Sequence, residues 1–327
     1  GGKKPGYQRW QTVLRMISHF TLPRVYIERT HIDIPRRIIS VRSMYTPHKK
    51  SIMHCITIPP VPTYSKTHDC IVHQVPAHKD NVIWLIEYAT GLCAVVDGPS
   101  AKEVLPYIKA NNLRITHILN THTHADHVGI NRDLGKRGLL NDVQVIGCRT
   151  RSADVPHITK GVDEGDVFKL GDLEVTVWRT EGHLDGHLSF LVADFVFCGD
   201  AMFSGGCGYL FDGPPAKMHA SLQRLAGLPP ETFVCPAHEY TEDNLLFAMS
   251  IESGNPKLVE RFAHVKAIRG RGESTLPSTI QIERDCNPFV RVDSTEIQRA
   301  VDAVDGVEIF AKTRQLKDSK VYKTKTL

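Results

Sequence analysis

The stretch Thr121-His122-Thr123-His124-Ala125-Asp126-His127 decides how this chain is read. Three imidazoles and a carboxylate within seven residues exceed what hydrogen bonding needs, and nitrogen with oxygen donors suits zinc or a similar transition metal. His122 and His124 are spaced by two, so on an extended strand end both point to one side. Asp126 and His127 are then expected in the turn that follows. That geometry can serve two ions. The bland reading is a histidine-rich surface loop, and the further donors along the chain weigh against it.

Working outward, Ile115-Thr-His-Ile-Leu-Asn120 is short and β-rich, and Gly129-Ile-Asn-Arg-Asp-Leu-Gly135 begins a helical pattern. A strand that ends in a ligand-bearing turn and hands over to a helix is where α/β proteins build active sites. Upstream, residues 82–87 and 92–97 read as strands joined at Thr90-Gly91, followed by helical spacing over 101–111. Downstream come a strand at 143–147 and a hairpin over 167–170 and 173–178, which delivers Thr180-Glu-Gly-His183-Leu-Asp-Gly-His187. A strand pair at 190–192 and 195–198 ends in Gly199-Asp200. A buried carboxylate at such a strand end is costly unless a cation neutralises it. Phe233-Val-Cys-Pro-Ala-His238 repeats the pattern of strand, turn and histidine. Beyond Glu239 the periods are helical, over 242–251, 257–268 and 295–304, broken by Gly254-Asn-Pro256 and Gly270-Arg-Gly272.

The chain has 327 residues and is 41% hydrophobic, enough for about two domains with an ordinary core. Its longest apolar runs fall far short of a membrane span, so no membrane partner is expected. A net charge of +4 is too small to argue for nucleic acid. The eight cysteines, at positions 55, 70, 93, 148, 198, 207, 235 and 286, form no C-x-x-C pair and read as free thiols in a reducing compartment. None is assigned to catalysis.

The basic excess is local: residues 1–67 carry twelve Lys or Arg against two acids, Glu28 and Asp33. Trp10, Val13, Leu14, Ile17 and Phe20 lie at near-helical spacing among arginines, as in a mitochondrial transit peptide, although the first residue is Gly. The alternative is a disordered or dispensable extension punctuated by Pro23, Pro59, Pro60 and Pro62. The compartment expected is therefore cytoplasmic or mitochondrial.

The Thr121–His127 run matches the T-H-x-H-x-D-H signature of the metallo-β-lactamase superfamily, and later motifs, Asn287-Pro-Phe-Val-Arg291 among them, resemble glyoxalase II, the hydroxyacylglutathione hydrolases. The resemblance covers residue 69 to the C-terminus. It implies an α/β fold, a four-layer αββα domain at 69–238 followed by a small α-helical C-terminal domain at 239–327, with 1–68 a basic extension. Two divalent metal ions are implied, zinc first, with iron or manganese accepting the same donors. The resemblance assigns His122, His124 and His183 to one ion, Asp126, His127 and His238 to the other, and Asp200 between them. Asp97 is implied to fix the metal-bearing loops by hydrogen bonds rather than as a ligand, and His187 to pack behind the site.

The reaction implied is hydrolysis of S-2-hydroxyacylglutathione, typically S-D-lactoylglutathione, in methylglyoxal detoxification. The nucleophile then expected is metal-bound hydroxide, with Asp126 orienting it. The chain contains no G-x-S-x-G elbow, and a thiolate with a pKa of about 8.5 leaves without a general acid, so a thioester suits such a site. For the glutathione carrier the resemblance points to Tyr240, Arg314 and Lys317. Tyr209 and Phe211 stand where the family usually has a lysine and a second tyrosine. Alternatives are the same chemistry on a trypanothione thioester, suggested by Phe211, a mononuclear-iron persulfide dioxygenase, and a metal-stabilised interaction protein. A monomer acting on a small molecule is expected.

Overall fold

The computed structural model describes residues 55–324. The amphipathic stretch over Trp10 to Phe20, with its targeting reading, lies outside the described residues. Strands β1 (Thr63–Tyr64), β2 (Ile71–Ala77), β3 (Asn81–Ala89), β4 (Leu92–Val96), β5 (Arg114–Leu119), β6 (Gln144–Cys148) and β7 (Lys160–Val162) form one sheet in that spatial order. Its first half is antiparallel and β4 to β7 run parallel. The parallel steps need crossovers, and helices α1 (Val104–Asn111) and α2 (Ala125–Lys136) supply two of them.

The second sheet contains β8 (Val167–Leu170), β9 (Leu173–Arg179), β10 (Leu188–Val192) and β11 (Phe195–Gly199). A small hairpin, β12 (Met202–Phe203) with β13 (Gly206–Cys207), follows in sequence and stands apart. Then β14 (Phe233–Pro236) pairs parallel to β11, and β15 (Ser278–Thr279) closes the edge. The remaining helices are α3 (Pro215–Ala226), α4 (Thr241–Met249), α5 (Pro256–Gly270), α6 (Ile280–Cys286), α7 (Thr295–Val301) and α8 (Gly306–Asp318).

Side-chain alternation sets the layers. In β3, Val82, Trp84 and Ile86 face the second sheet and share a core with Val175, Val177, Phe190 and Phe197. Ile83 and Leu85 face the other way and pack with Val104 of α1 and Ile130 and Leu134 of α2. On the outer face of the second sheet, Val196, Cys198 and Val234 meet Leu222 of α3, Phe247 of α4 and Phe310 of α8. The order is helix, sheet, sheet, helix. Both faces of β3 are apolar, so a one-residue slip would still bury apolar groups, and the polar contact of Trp84 helps fix which set faces the second sheet. The Trp84 indole donates to the Pro236 carbonyl at 2.8 Å, which satisfies the one polar atom this ring brings into the core.

Two expectations are revised. Helix α2 begins at Ala125, with His124 as its N-cap, rather than at Gly129. Asp126 and His127 therefore sit in its first turn, where a carboxylate is favoured by the helix dipole. The described part of the N-terminal stretch is also integral to the fold. Ile56 is buried in the core between the sheets, Thr57 N–H donates to the Gly272 carbonyl at 2.8 Å, Arg269 holds the Cys55 carbonyl at 2.9 Å, and β1 pairs with β2. An apolar Ile and unpaired strand groups at the sheet edge outweigh the prolines that argued for an extension.

Candidate metal centre

The donors gather at one end of both sheets: Asp97 after β4, His122 to His127 after β5, His183 between β9 and β10, Asp200 after β11, and His238 after β14. His122 Nε2 and His183 Nε2 lie 3.0 and 3.1 Å from His124 Nδ1. His183 Nε2 is 3.5 Å from Asp200 Oδ2. On the other side His238 Nε2 is 3.4 Å from Asp126 Oδ2 and 3.5 Å from Asp200 Oδ1, while His127 Nε2 is 3.7 and 3.5 Å from the same two oxygens. Asp200 thus faces both groups, one oxygen to each.

The second nitrogen of each ring fixes the tautomer. His127 Nδ1 donates to Asp97 Oδ2 at 2.9 Å, and His238 Nδ1 to Asp80 Oδ1 at 2.8 Å. His183 Nδ1 donates to the Tyr209 carbonyl at 2.7 Å. Thr121 Oγ1 donates to Asp97 Oδ2 at 2.6 Å, so it accepts from His122 Nδ1 at 3.1 Å. All four rings therefore turn Nε2 inward. Asp97 accepts from His127 Nδ1 and Thr121 Oγ1, and with His122 and His127 it also forms a third group whose ligand atoms lie within 4.8 Å of one another.

These residues fit metal ions on their own atoms. His127 Nε2 and Asp200 Oδ1 are buried without a hydrogen-bond partner, an arrangement costly unless a cation sits between them. Around His124 Nδ1, one N–H could satisfy only one of two facing lone pairs, whereas a cation satisfies all three nitrogens. Two triads, His122, His124 and His183 with Asp200, and Asp126, His127 and His238, each offer ligand atoms within 4.8 Å of one another.

Electrostatics agree. Burial lowers the pKa of His122, His124, His183 and His187, with neighbouring imidazoles adding to the push on His122, which favours the neutral ring that a ligand must be at the first three. Burial also disfavours the cation at His127 and His238, yet Asp200 overrides it, raising both, His238 to about 10. Without metal the second group holds protons that a metal ion would replace.

His187 is fully buried, stacks on His122 with centroids 4.9 Å apart, and accepts the Asp200 N–H at 3.2 Å. Gly199 just before takes φ +49°, and a Cβ there would run into Thr121 Oγ1, so only glycine lets the strand end approach the histidine loop.

At the mouth, Phe211 is 60% exposed with its ring 5.1 Å from His124 and 5.3 Å from His183, and Tyr209 packs beside it at 4.9 Å. Tyr240 stacks on His238 at 4.9 Å and donates to Asp80 at 3.3 Å. Arg314 and Lys317 are not a solvated tail: both lie on α8, 7% and 8% exposed. Arg314 donates to the Cys207 carbonyl and to Asp318, and Lys317 to Asp243 at 2.9 Å. Sequence reasoning missed Asp80 and Asn81, whose amide donates to Asp126 Oδ2 at 3.0 Å. In the sequence they only precede the strand read at 82–87, and nothing there shows that this stretch reaches His238.

Fold and site together define a metallo-β-lactamase-type metal-binding protein. The model of the metallo-beta-lactamase superfamily matches residues 80–141 and 147–238, and that of the hydroxyacylglutathione hydrolase C-terminus matches 239–320. A hydroxyacylglutathione hydrolase of Rhodospirillum rubrum is 40% identical over 252 residues, 76% of this chain and 97% of that protein. One of Gloeobacter violaceus is 41% identical over 251 residues, 76% of this chain and 99% of its own length. Among solved structures, ETHE1 from Myxococcus xanthus aligns at 27% identity with a TM-score of 0.46, over 66% of this chain and 96% of that one. The chain belongs to the hydroxyacylglutathione hydrolase family and is a thioester hydrolase. The dioxygenase, trypanothione and interaction-protein readings are not favoured. Among the described residues, no helix is long and apolar enough to cross a membrane.

Proposed function

We propose that the chain hydrolyses S-2-hydroxyacylglutathione, with S-D-lactoylglutathione the typical substrate, to the hydroxy acid and glutathione, the second step of methylglyoxal detoxification. The observation that supports the two-ion form of this reading is the pair of buried atoms without a hydrogen-bond partner, His127 Nε2 and Asp200 Oδ1, between two converging donor sets. His122, His124 and His183 would hold one divalent ion, Asp126, His127 and His238 the other, and Asp200 both. Bound there, such ions supply Lewis acidity, which lowers the pKa of water from about 15.7 to about 7 in known zinc sites. Zinc suits the donors best, and iron or manganese accept them too.

The chain's own residues do the rest. Asp126, held by Asn81, can accept a hydrogen bond from the attacking water and aim its oxygen at the thioester carbonyl carbon. The C–S bond breaks with its electron pair on sulfur. The thiol product has a pKa of about 8.5, so no general acid is needed. Phe211 and Tyr209 line the approach beside His124 and His183, and Tyr240 would contact the carrier. Arg314 and Lys317 are the proposed partners of its glycine carboxylate, which would share Lys317 with Asp243 and compete with Asp318 for Arg314. In this reading residues 69–238 carry the chemistry and 239–327 the carrier contacts.

The test is metal analysis alongside thioester turnover. Two equivalents of metal and hydrolysis of S-D-lactoylglutathione that chelation abolishes are expected. Turnover unaffected by metal removal would overturn the mechanism.

A further inference from the structure

Asp80, the last residue of the turn between β2 and β3, and Asn81, the first of β3, are not proposed ligands, yet each side chain grips one. Asp80 Oδ1 accepts from His238 Nδ1 at 2.8 Å, and Asn81 Nδ2 donates to Asp126 Oδ2 at 3.0 Å. The main chain locks the turn in place. Asn81 and His238 form an antiparallel bridge, Glu239 N–H donates to the Asp80 carbonyl at 2.9 Å, and Val82 N–H to the Ala237 carbonyl at 2.7 Å. Asn81 is only 6% exposed, so its amide cannot readily trade Asp126 for water.

The two donor sets are backed differently. Both histidines of the second set lean on carboxylates, His127 on Asp97 and His238 on Asp80. In the first set His122 leans on the Thr121 hydroxyl and His183 on the Tyr209 carbonyl, both neutral. A carboxylate on the outer nitrogen makes the inner one a stronger donor and fixes its direction. At position 81 an amide rather than a further carboxylate steadies Asp126 without adding a like charge beside it.

We propose that the Asp80–Asn81 pair is a clamp that positions His238 and Asp126 and sets the affinity of the second ion separately from the first; this rests on the two-ion reading above. Both are positioning residues, acting through ligands rather than on substrate. The β2–β3 hairpin thereby takes part in metal retention although it lies far in sequence from every ligand of the second set.

The experiment is a Zn²⁺ titration of the metal-stripped full chain in competition with a chromophoric chelator, for the wild type, Asp80→Asn and Asn81→Ala, with thermal melting of each stripped protein as a check on folding. The wild type is expected to take two equivalents. Each variant is expected to keep one at wild-type affinity and to bind the other about tenfold or more weakly, within the 10–100-fold range for such outer contacts. Two equivalents at wild-type affinity in folded variants, or equal weakening of both, would overturn the clamp while leaving two ions in place. A wild type that takes only one equivalent would overturn the two-ion reading itself, and the clamp with it. Should Asp80→Asn fail to fold, Asn81→Ala, which removes only a side-chain amide, decides alone.

Discussion

Asp97 accepts the Nδ1–H of His127 on one carboxylate oxygen at 2.9 Å and the main-chain N–H of Thr121 on the other at 2.8 Å. One side chain therefore ties down both ends of the histidine run. It does so from a left-handed backbone, φ +56°, a conformation Asp tolerates better than most residues but at some cost. The strain sits where a precise direction of the carboxylate is needed.

Replacing Asp97 by Asn should loosen this end of the site. An amide can accept on one atom only, so the Thr121 contacts and the His127 proton cannot all be kept. We expect affinity for metal to fall about 10–100-fold, as for other contacts behind a ligand. Chelator competition measures it, and unchanged affinity in a folded variant would refute the role.

For Asp200→Asn we expect most activity to be lost together with bound metal, since the variant takes the shared charge from between the two donor sets. A variant with full metal content and near-normal rate would remove Asp200 from the centre.

Neutralising Arg314 and Lys317 together should raise KM for the glutathione thioester about tenfold or more with a smaller change in kcat, the pattern of lost uniform binding. Their burial adds a second expectation: melting temperature should fall as well, because the Asp243 and Asp318 pairings go. A lower melting temperature with unchanged KM would make the pair a strut of α8 and nothing more.

A chain starting at Cys55 should be more stable than one starting at Asp69. The shorter chain loses Ile56 from the core, a burial of about 1.5–3 kcal/mol, and the β1 pairing. Thermal unfolding of the two chains checks this, with turnover per folded molecule expected to match.

Acid should weaken the anchorage of α8. Burial pushes the Asp243 carboxyl up, but Lys317, Lys323 and Tyr322 outweigh it and hold its pKa at about 2, below the ordinary 3.8. A depressed carboxyl contributes stability above its unfolded pKa and loses it as pH falls through the folded one, here between about pH 4 and about pH 2. Asp243→Asn should flatten this acid limb in urea unfolding at a series of pH values; an unchanged slope would show the pair to be energetically silent.

The sequence by itself pointed to the candidate donors, and through the motifs shared with a known family to the layer order. Histidine, aspartate and the strand-turn-donor pattern are local, whereas the unbroken apolar run Val82 to Ile86 marks β3 as buried on both faces without telling which face meets the other sheet. Helix α8 escaped notice because its apolar positions, Ile309 and Phe310, are few and its charged ones many, and only packing against α3 and α4 turns Arg314 and Lys317 inward. The fate of residues 55–67 likewise depended on Gly272 and Arg269, some two hundred positions away. Tertiary structure alone decided which nitrogen of each histidine faces the centre, because that depends on outer partners such as Asp80, Asp97 and the Tyr209 carbonyl. A tautomer is fixed by whatever lies behind the ring in space, and sequence spacing carries no record of it.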